Sequence, residues 1–177
     1  MTAKNLNTDK ILKARAKQLA IEKISDEQAV DKLEIVIFRI ASESYGIELS
    51  HIRIIHPAKN LTFIPGTPDF IRGIINLRGE LISVVDLKQF FDLPDQDLTD
   101  LCQVIILSSE DMEFGILADE ILDVKKIPAN KIQPSLPTLS GIRSEYLKGI
   151  SGDGIVILDG DKLLSNKNMI IHIEVSG

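Results

Sequence analysis

Residues 73–87 read "GIINLRGELISVVDL". Two apolar runs, one ending at Leu77 and one starting at Leu81, flank a short bridge of Arg78, Gly79 and Glu80. That is the pattern of a β-hairpin, because glycine supplies the positive φ that tight turns require. Hairpin tips also carry charge for solubility alone. Arg78 is therefore open to two readings, a solvated tip or a group held in place for a partner.

Outward from this hairpin, the chain from Glu34 onward consists of short β-branched runs separated by turn residues. The runs are Glu34–Ile40, Tyr45–Ile55, Ile71–Leu77, Leu81–Leu87, Gln103–Leu107, Met112–Val124, Ile155–Leu158 and Met169–Val175. Strands at such intervals, without long helical patterns between them, predict an all-β body of small barrels or sandwiches. "LKQFF", following Asp86, has room for one or two helical turns.

A weak internal repeat organises the runs. "ESYGIELSHIRII" (Glu43–Ile55) resembles "DMEFGILADEILDV" (Asp111–Val124), and one interval carries both Gly46 onto Gly115 and Ile52 onto Ile121. "FIRGIINLRGELISVVDL" is echoed by "YLKGISGDGIVILDG", which pairs Gly73 with Gly149 and Asp86 with Asp159. Two such units, each too small to bury much alone, are expected to share a core. The boundary falls near Leu98–Leu101. That gives one subdomain over about 34–98 and a second over about 99–175, with exchange of terminal strands as a variant. Both halves keep a hairpin glycine, Gly79 and Gly154, but only the first sets an arginine beside it; the second has Asp153. A purely structural turn tolerates either charge, so the difference favours a role for Arg78 beyond the turn.

Within "YGIELSHIRII", Ile47 and Leu49 share one parity and Ile52 and Ile54 the other. The phase switch implies a bulge or corner that lets one long run serve two faces. One set would fill a barrel and the other reach the junction between units or an outside partner. A groove lined by isoleucine and leucine and rimmed by Arg78 suits the apolar face of a helix.

Residues 1–30 read as a separate leader. Asn7 or Thr8 can cap a helix in which Leu12, Ala16, Leu19, Ala20 and Ile24 form a narrow apolar stripe. Ser25 with Gln28 offers a capping box beyond it. Residues 1–24 hold six basic and two acidic side chains, so a leader of +4 precedes a body of −10 within the net −6. Such a leader is either a solvated helix face or a dock for an acidic surface.

Composition narrows the function classes. The chain of 177 residues is 44% hydrophobic and 26% charged. That balance should pack a core. Net negative charge and few aromatic residues argue against nucleic-acid binding. No apolar stretch approaches the roughly 20 residues that cross a bilayer, and the N-terminus lacks a secretory pattern. The single Cys102 allows no internal disulfide, consistent with a cytoplasmic setting. His51, His56 and His172 share no ligand spacing with one another or with Cys102. "GISGDG" precedes a strand rather than a phosphate-cradling helix. Asp153, Asp159 and Asp161 lack the twelve-residue calcium pattern and read as turn chemistry. No catalytic residue, metal site or cofactor is expected; the chain reads as a binding module.

Phe63–Leu87, "FIPGTPDFIRGIINLRGELISVVDL", resembles the signature of the CheW family, the coupling proteins of bacterial chemotaxis. "FRIASESYGIELSHIRII" before it and "YLKGISGDGIVILDGDKLL" after it are also similar to that family, and "ILKARAKQLA" looks like a leader carried by some members. The resemblance spans about residues 34–175. It implies two intertwined five-stranded barrels with a hydrophobic junction and no catalysis. It further implies a cytoplasmic adaptor, at receptor arrays beneath the inner membrane, between the tip of a chemoreceptor and the regulatory domain of a CheA-type histidine kinase. By the same resemblance, Ile47, Leu49, Ile54 and Arg78 would meet the receptor, and Ile52 and Gly73 would lie at or support the kinase contact. Many members place a glutamate, a natural partner for the hairpin arginine, where this chain has Ile54. Arg78 must then pair with Glu48, Glu80 or a group on the partner. A related scaffold of type IV pilus or biofilm signalling, or an adaptor whose N-terminal helix recruits a separate protein, are the alternatives.

Overall fold

In the computed structural model, residues 12–17, 31–94, 99–134 and 142–171 are described. The leader's caps, most of its apolar stripe and His172 lie outside them. Residues 12–17 form an exposed helix, α1.

The opening hairpin is built as its sequence dictates. Strand β4 (Ile71–Leu77) pairs antiparallel with β5 (Glu80–Val85), and the last pair is Leu77 with Glu80. The two-residue loop is Arg78 and Gly79, with φ of 54° and 94°. Two consecutive left-handed residues make the turn whose twist matches its strands. Asn76 Oδ1 accepts the Gly79 amide at 2.8 Å. In the second half β10 (Leu147–Ser151) pairs with β11 (Val156–Leu158), and the positive φ falls on Gly154 while Asp153 keeps an ordinary backbone.

The remaining strands are β1 (Lys32–Ile40), β2 (Glu43–Glu48), β3 (Ile52–Pro57), β6 (Gln103–Ser108), β7 (Glu113–Ala118), β8 (Glu120–Pro128) and the two-residue β9 (Ile132–Gln133). They form two sheets, in the order β3-β6-β7-β5-β4 and β8-β1-β2-β11-β10-β9. The orders are the same once the halves are superposed in sequence. Each has one parallel contact, β5 with β7 and β11 with β2, and all other pairs are antiparallel. The registers agree in detail. Gly115 faces Val84 and Gly46 faces Ile157, while the β4–β5 and β10–β11 ladders both slip just before Gly73 and Gly149. Each half crosses over from its third strand on, so β3, β4 and β5 join the sheet of β6 and β7, and β8 to β11 join that of β1 and β2.

Three apolar clusters follow from this layout. The largest fills the junction, with Phe38, Tyr45 and Ile47 from one sheet against Ile105, Phe114 and Ile116 from the other. Each sheet also curls around its own small cluster, one containing Ile75, Leu77, Val84 and Val104, the other Ile35, Ile37, Ile127 and Ile157. The central strands are therefore buried on both faces, which is why they read as nearly continuous apolar runs. Curling this tightly leaves little room. A Cβ on Gly73 would stand 2.3 Å from the Thr62 carbonyl oxygen, and one on Gly149 2.3 Å from that of Gln133. Those carbonyls belong to the segments that close each sheet, through a Thr62–Ile74 bridge in one and β9 in the other.

Several sequence expectations need revision. The runs Tyr45–Ile55 and Met112–Val124 are each two strands: a 3-10 turn (Leu49–His51) separates β2 from β3, and Asp119 alone separates β7 from β8. Residues 167–169 form a 3-10 turn instead of the start of a strand, because Asn166 caps them and accepts the Asn168 amide at 3.0 Å. The rest of that expected strand, from residue 172 on, lies outside the described residues. "LKQFF" gives one short helix, α2 (Leu87–Phe90), capped by Asp86. Its counterpart is α4 (Gly160–Ser165), capped by Asp159, and a further turn, α3 (Ile142–Glu145), precedes β10. Sequence reading missed α3, α4, β9 and β10.

Candidate protein-docking site

The site is built around the β4–β5 turn. Arg78 is exposed and, among the described residues, its guanidinium has no hydrogen bond or ion pair. Both acidic partners that the sequence offered are engaged elsewhere. Glu48 is paired with Lys148 of β10. Glu80 accepts from Arg53 Nη1 at 2.8 Å. Arg78 also holds a left-handed backbone without being Asn, Asp or Gly, which costs about 1–2 kcal/mol for a residue with a Cβ. Arg78 is thus a strained, charged residue at the tip of the hairpin, unpaired among the described residues.

The arm is held beside its turn, at Glu80, by a cluster that sequence reading missed. Arg53 Nη1 donates to Glu80 on β5 and to both carboxylate oxygens of Glu113 on β7, the latter at 2.6 and 2.8 Å. These hydrogen bonds, led by Glu113 and then Glu80, hold the Arg53 guanidinium still more firmly protonated than an ordinary arginine. A β-bulge makes the reach possible. The β3–β6 register slips between Ile52 and Ile54, leaving Arg53 as the extra residue. The same slip occurs in β8, where the position that the repeat matches to Arg53 holds Leu122. Comparing the two halves at that spacing, an arginine against a leucine, was the available signal.

The bulge also corrects the parity argument. Ile52 and Ile54 do not share a face. Ile52 packs on the junction cluster, whereas Ile54 packs, partly exposed, on the small cluster that includes Leu77, the residue before Arg78. Ile47 is fully buried in the junction cluster, so any effect it has on docking passes through the position of β2. Leu49, 40% exposed, sits in the corner turn and lines a shallow groove with Leu33, Ser50 and Lys126, to which no hairpin residue contributes. Gly73 is buried against Thr62 and acts through closure of the sheet. An exposed apolar residue beside the arm is Leu81, opposite Asn76.

Two further groups fix the frame. Lys88 of α2 is buried and donates to Asp119 Oδ1 at 2.9 Å, while Asp119 Oδ2 accepts the Ala41 amide at 2.7 Å. One carboxylate so joins a helix, a crossover and the β1–β2 turn. Tyr45 donates to Glu43 Oε2 at 2.8 Å, with Arg143 bonded to both and stacked over the ring. Burial, aided by Glu43 and opposed by Arg143, pushes the Tyr45 phenol well above its ordinary range. The two described histidines have separate partners: His51 meets Asp161, and His56 Nδ1 lies 2.7 Å from the Pro57 carbonyl oxygen. Among the described residues no cluster of three His, Cys, Asp or Glu side chains could hold a metal ion. No described helix is long and apolar enough to cross a membrane.

Comparison with known proteins agrees with this architecture. The family model of the CheW-like domain matches residues 34–168. A "Chemotaxis protein CheW" of Klebsiella aerogenes is 32% identical over 141 residues, 78% of this chain and 85% of that protein. A "Chemotaxis protein CheW" of Treponema pallidum is 31% identical over 153 residues, 82% of this chain and 88% of the other. Among solved structures, the scaffolding protein TtCheW from Thermoanaerobacter tengcongensis superposes with a TM-score of 0.66 at 32% identity, covering 72% of this chain and 84% of that one. The agreement extends through both halves and over most of each relative's length, and this chain therefore belongs to the CheW-like domain family.

Proposed function

We propose that the chain is a non-enzymatic cytoplasmic adaptor of chemotaxis signalling, joining a chemoreceptor tip to the regulatory domain of a CheA-type histidine kinase. The observation that carries this reading is Arg78: exposed, unpaired among the described residues and held in a left-handed turn at the end of a braced arm. Relatives over 30% identical named as chemotaxis proteins, and a neighbour titled a scaffolding protein, support the pathway. The packed junction also favours binding over catalysis. Side chains fill the interface between the sheets, where an enzyme would need a polar pocket.

In this reading the receptor surface comprises Arg78, Leu81, the exposed part of Ile54 and, around the corner, Leu49. Ile52 and Gly73 maintain the surface offered to the kinase. The guanidinium fixes the register of an apolar helix by charge-assisted hydrogen bonding, and the aliphatic residues exclude water around it. The test is a binding assay of the full chain against a soluble receptor-tip fragment and the kinase regulatory domain, separately and together. Arg78→Glu should weaken the receptor arm by about a hundredfold and leave the kinase arm and the overall fold unchanged. Equal binding of the variant to both partners refutes the assignment.

A further inference from the structure

The Arg53 cluster bears on how Arg78 stays available. Arg53 is the bulge residue of β3, and its Nη1 satisfies one carboxylate on β5 and one on β7 within 2.8 Å. Glu80 follows Arg78 by two positions, across the same turn. Without a competitor it is the natural partner for Arg78, since opposite charges on neighbouring side chains pair when nothing else is offered. With Arg53 present, Glu80 is taken up and Arg78 is left with no intramolecular bond among the described residues. The three charges of the clamp sum to −1, so an anion on the partner is not drawn to Arg53 in place of Arg78.

We propose that Arg53 is a positioning and specificity-determining residue for the docking arm: it sequesters Glu80 and Glu113 so that the Arg78 guanidinium is kept for a carboxylate on the partner. This deepens the reading above and rests on it. Arg53 itself touches no partner; it acts through Glu80. Affinity for the receptor then depends on a side chain outside the contact, and the partner's complementary group is acidic.

The experiment measures affinity of the full chain for a soluble receptor-tip fragment in four variants, with affinity for the kinase regulatory domain as the control. Arg53→Met should weaken receptor binding about tenfold, because the freed Glu80 competes for Arg78. Arg53→Met combined with Glu80→Gln should restore binding to within about threefold of the starting chain, since the competitor is neutralised while Arg78 remains. Glu80→Gln alone should change little. Arg78→Ala should remove the arm's contribution. Rescue by the second substitution is the decisive readout, because a merely structural role for Arg53 predicts further loss when Glu80 is also removed. No effect of Arg53→Met, or no rescue, overturns this inference while leaving the adaptor reading intact. No effect of Arg78→Ala overturns the adaptor surface itself.

Discussion

The hairpin between β4 and β5 and the hairpin between β10 and β11 hold the same place in the same strand order, yet they are finished differently. Counting from the equivalent pairs Ile74–Ser83 and Ile150–Val156, the first encloses residues 75–82 and the second residues 151–155. The first arm is thus longer and extends roughly 5 Å further, at about 3.3 Å per residue along each strand. Its turn strains an arginine; the other sets Gly152 and Gly154 around Asp153 and puts its positive φ on glycine. It is clamped beside its turn by Arg53, whereas the equivalent position holds Leu122, which has no charge to offer. One hairpin is short and closed by glycine; the other is longer, clamped and tipped by a charge.

The corners differ in the same way. Each crossover is fastened to the helix that follows a hairpin: Asp119 to Lys88 of α2, and His51 to Asp161 of α4 at 3.1 Å. The first fastener is buried, with the Lys88 side chain 1% exposed, and the second is wet, with Asp161 88% exposed. The comparison can be broken most forcefully here. Asp119→Ala should destabilise the protein by about 2–3 kcal/mol, because it removes a charge-assisted hydrogen bond from the buried Lys88 and leaves the Ala41 amide unbonded. Asp161→Ala should cost no more than about 0.5 kcal/mol, as an exposed pair does. Denaturant unfolding measures both, and comparable losses would show that the corners bear strain equally.

A middle-sized effect separates the two closing glycines. Alanine at Gly73 or Gly149 drives a methyl into a backbone carbonyl. That overlap should cost about 1–3 kcal/mol. The φ of Gly73 is 148°. A backbone that suits only glycine should add about 1–2 kcal/mol to the loss there. Thermal melts of the two variants should differ in that order; the reverse order would mean that β9 closes its sheet more rigidly than the Thr62 bridge does.

The smallest effect sharpens the contrast most. Arg78→Asn should stabilise the chain by about 0.5–1 kcal/mol, since asparagine tolerates the left-handed region better, while receptor binding falls. Asp153→Asn should change neither. Gain of stability with loss of binding at Arg78, and silence at Asp153, would identify strain held for function in one hairpin alone.

Much of the scaffold was legible in the residues. The common interval from Gly46 to Gly115 and from Ile52 to Ile121, the paired Gly73 and Gly149, and the capping Asp86 and Asp159 predicted a duplicated β design. The strand registers reproduce it position by position. The site was less legible. Ile47 looked available and is buried; Ile52 and Ile54 looked like one face and lie on two. The second error comes from the bulge at Arg53, which adds one residue on one strand and reverses every parity beyond it. The first comes from the shared core, which covers the face that alternation left open. Alternation counts residues; it does not see an insertion or a covering sheet that only the fold reveals.

Local rules act over a few residues, so the amino-acid order alone determined the β class, the turns that need glycine, the repeat and the likeness to a family of coupling proteins. Which carboxylate answers which cation depends on chain segments 27 and 60 residues apart, Arg53 with Glu80 and with Glu113. Only the folded sheets bring those together. The exchange that puts β1 and β2 with β8 to β11, and β6 and β7 with β3 to β5, belongs to the same category, because hydrogen-bonding edges are interchangeable until the shared core selects among them.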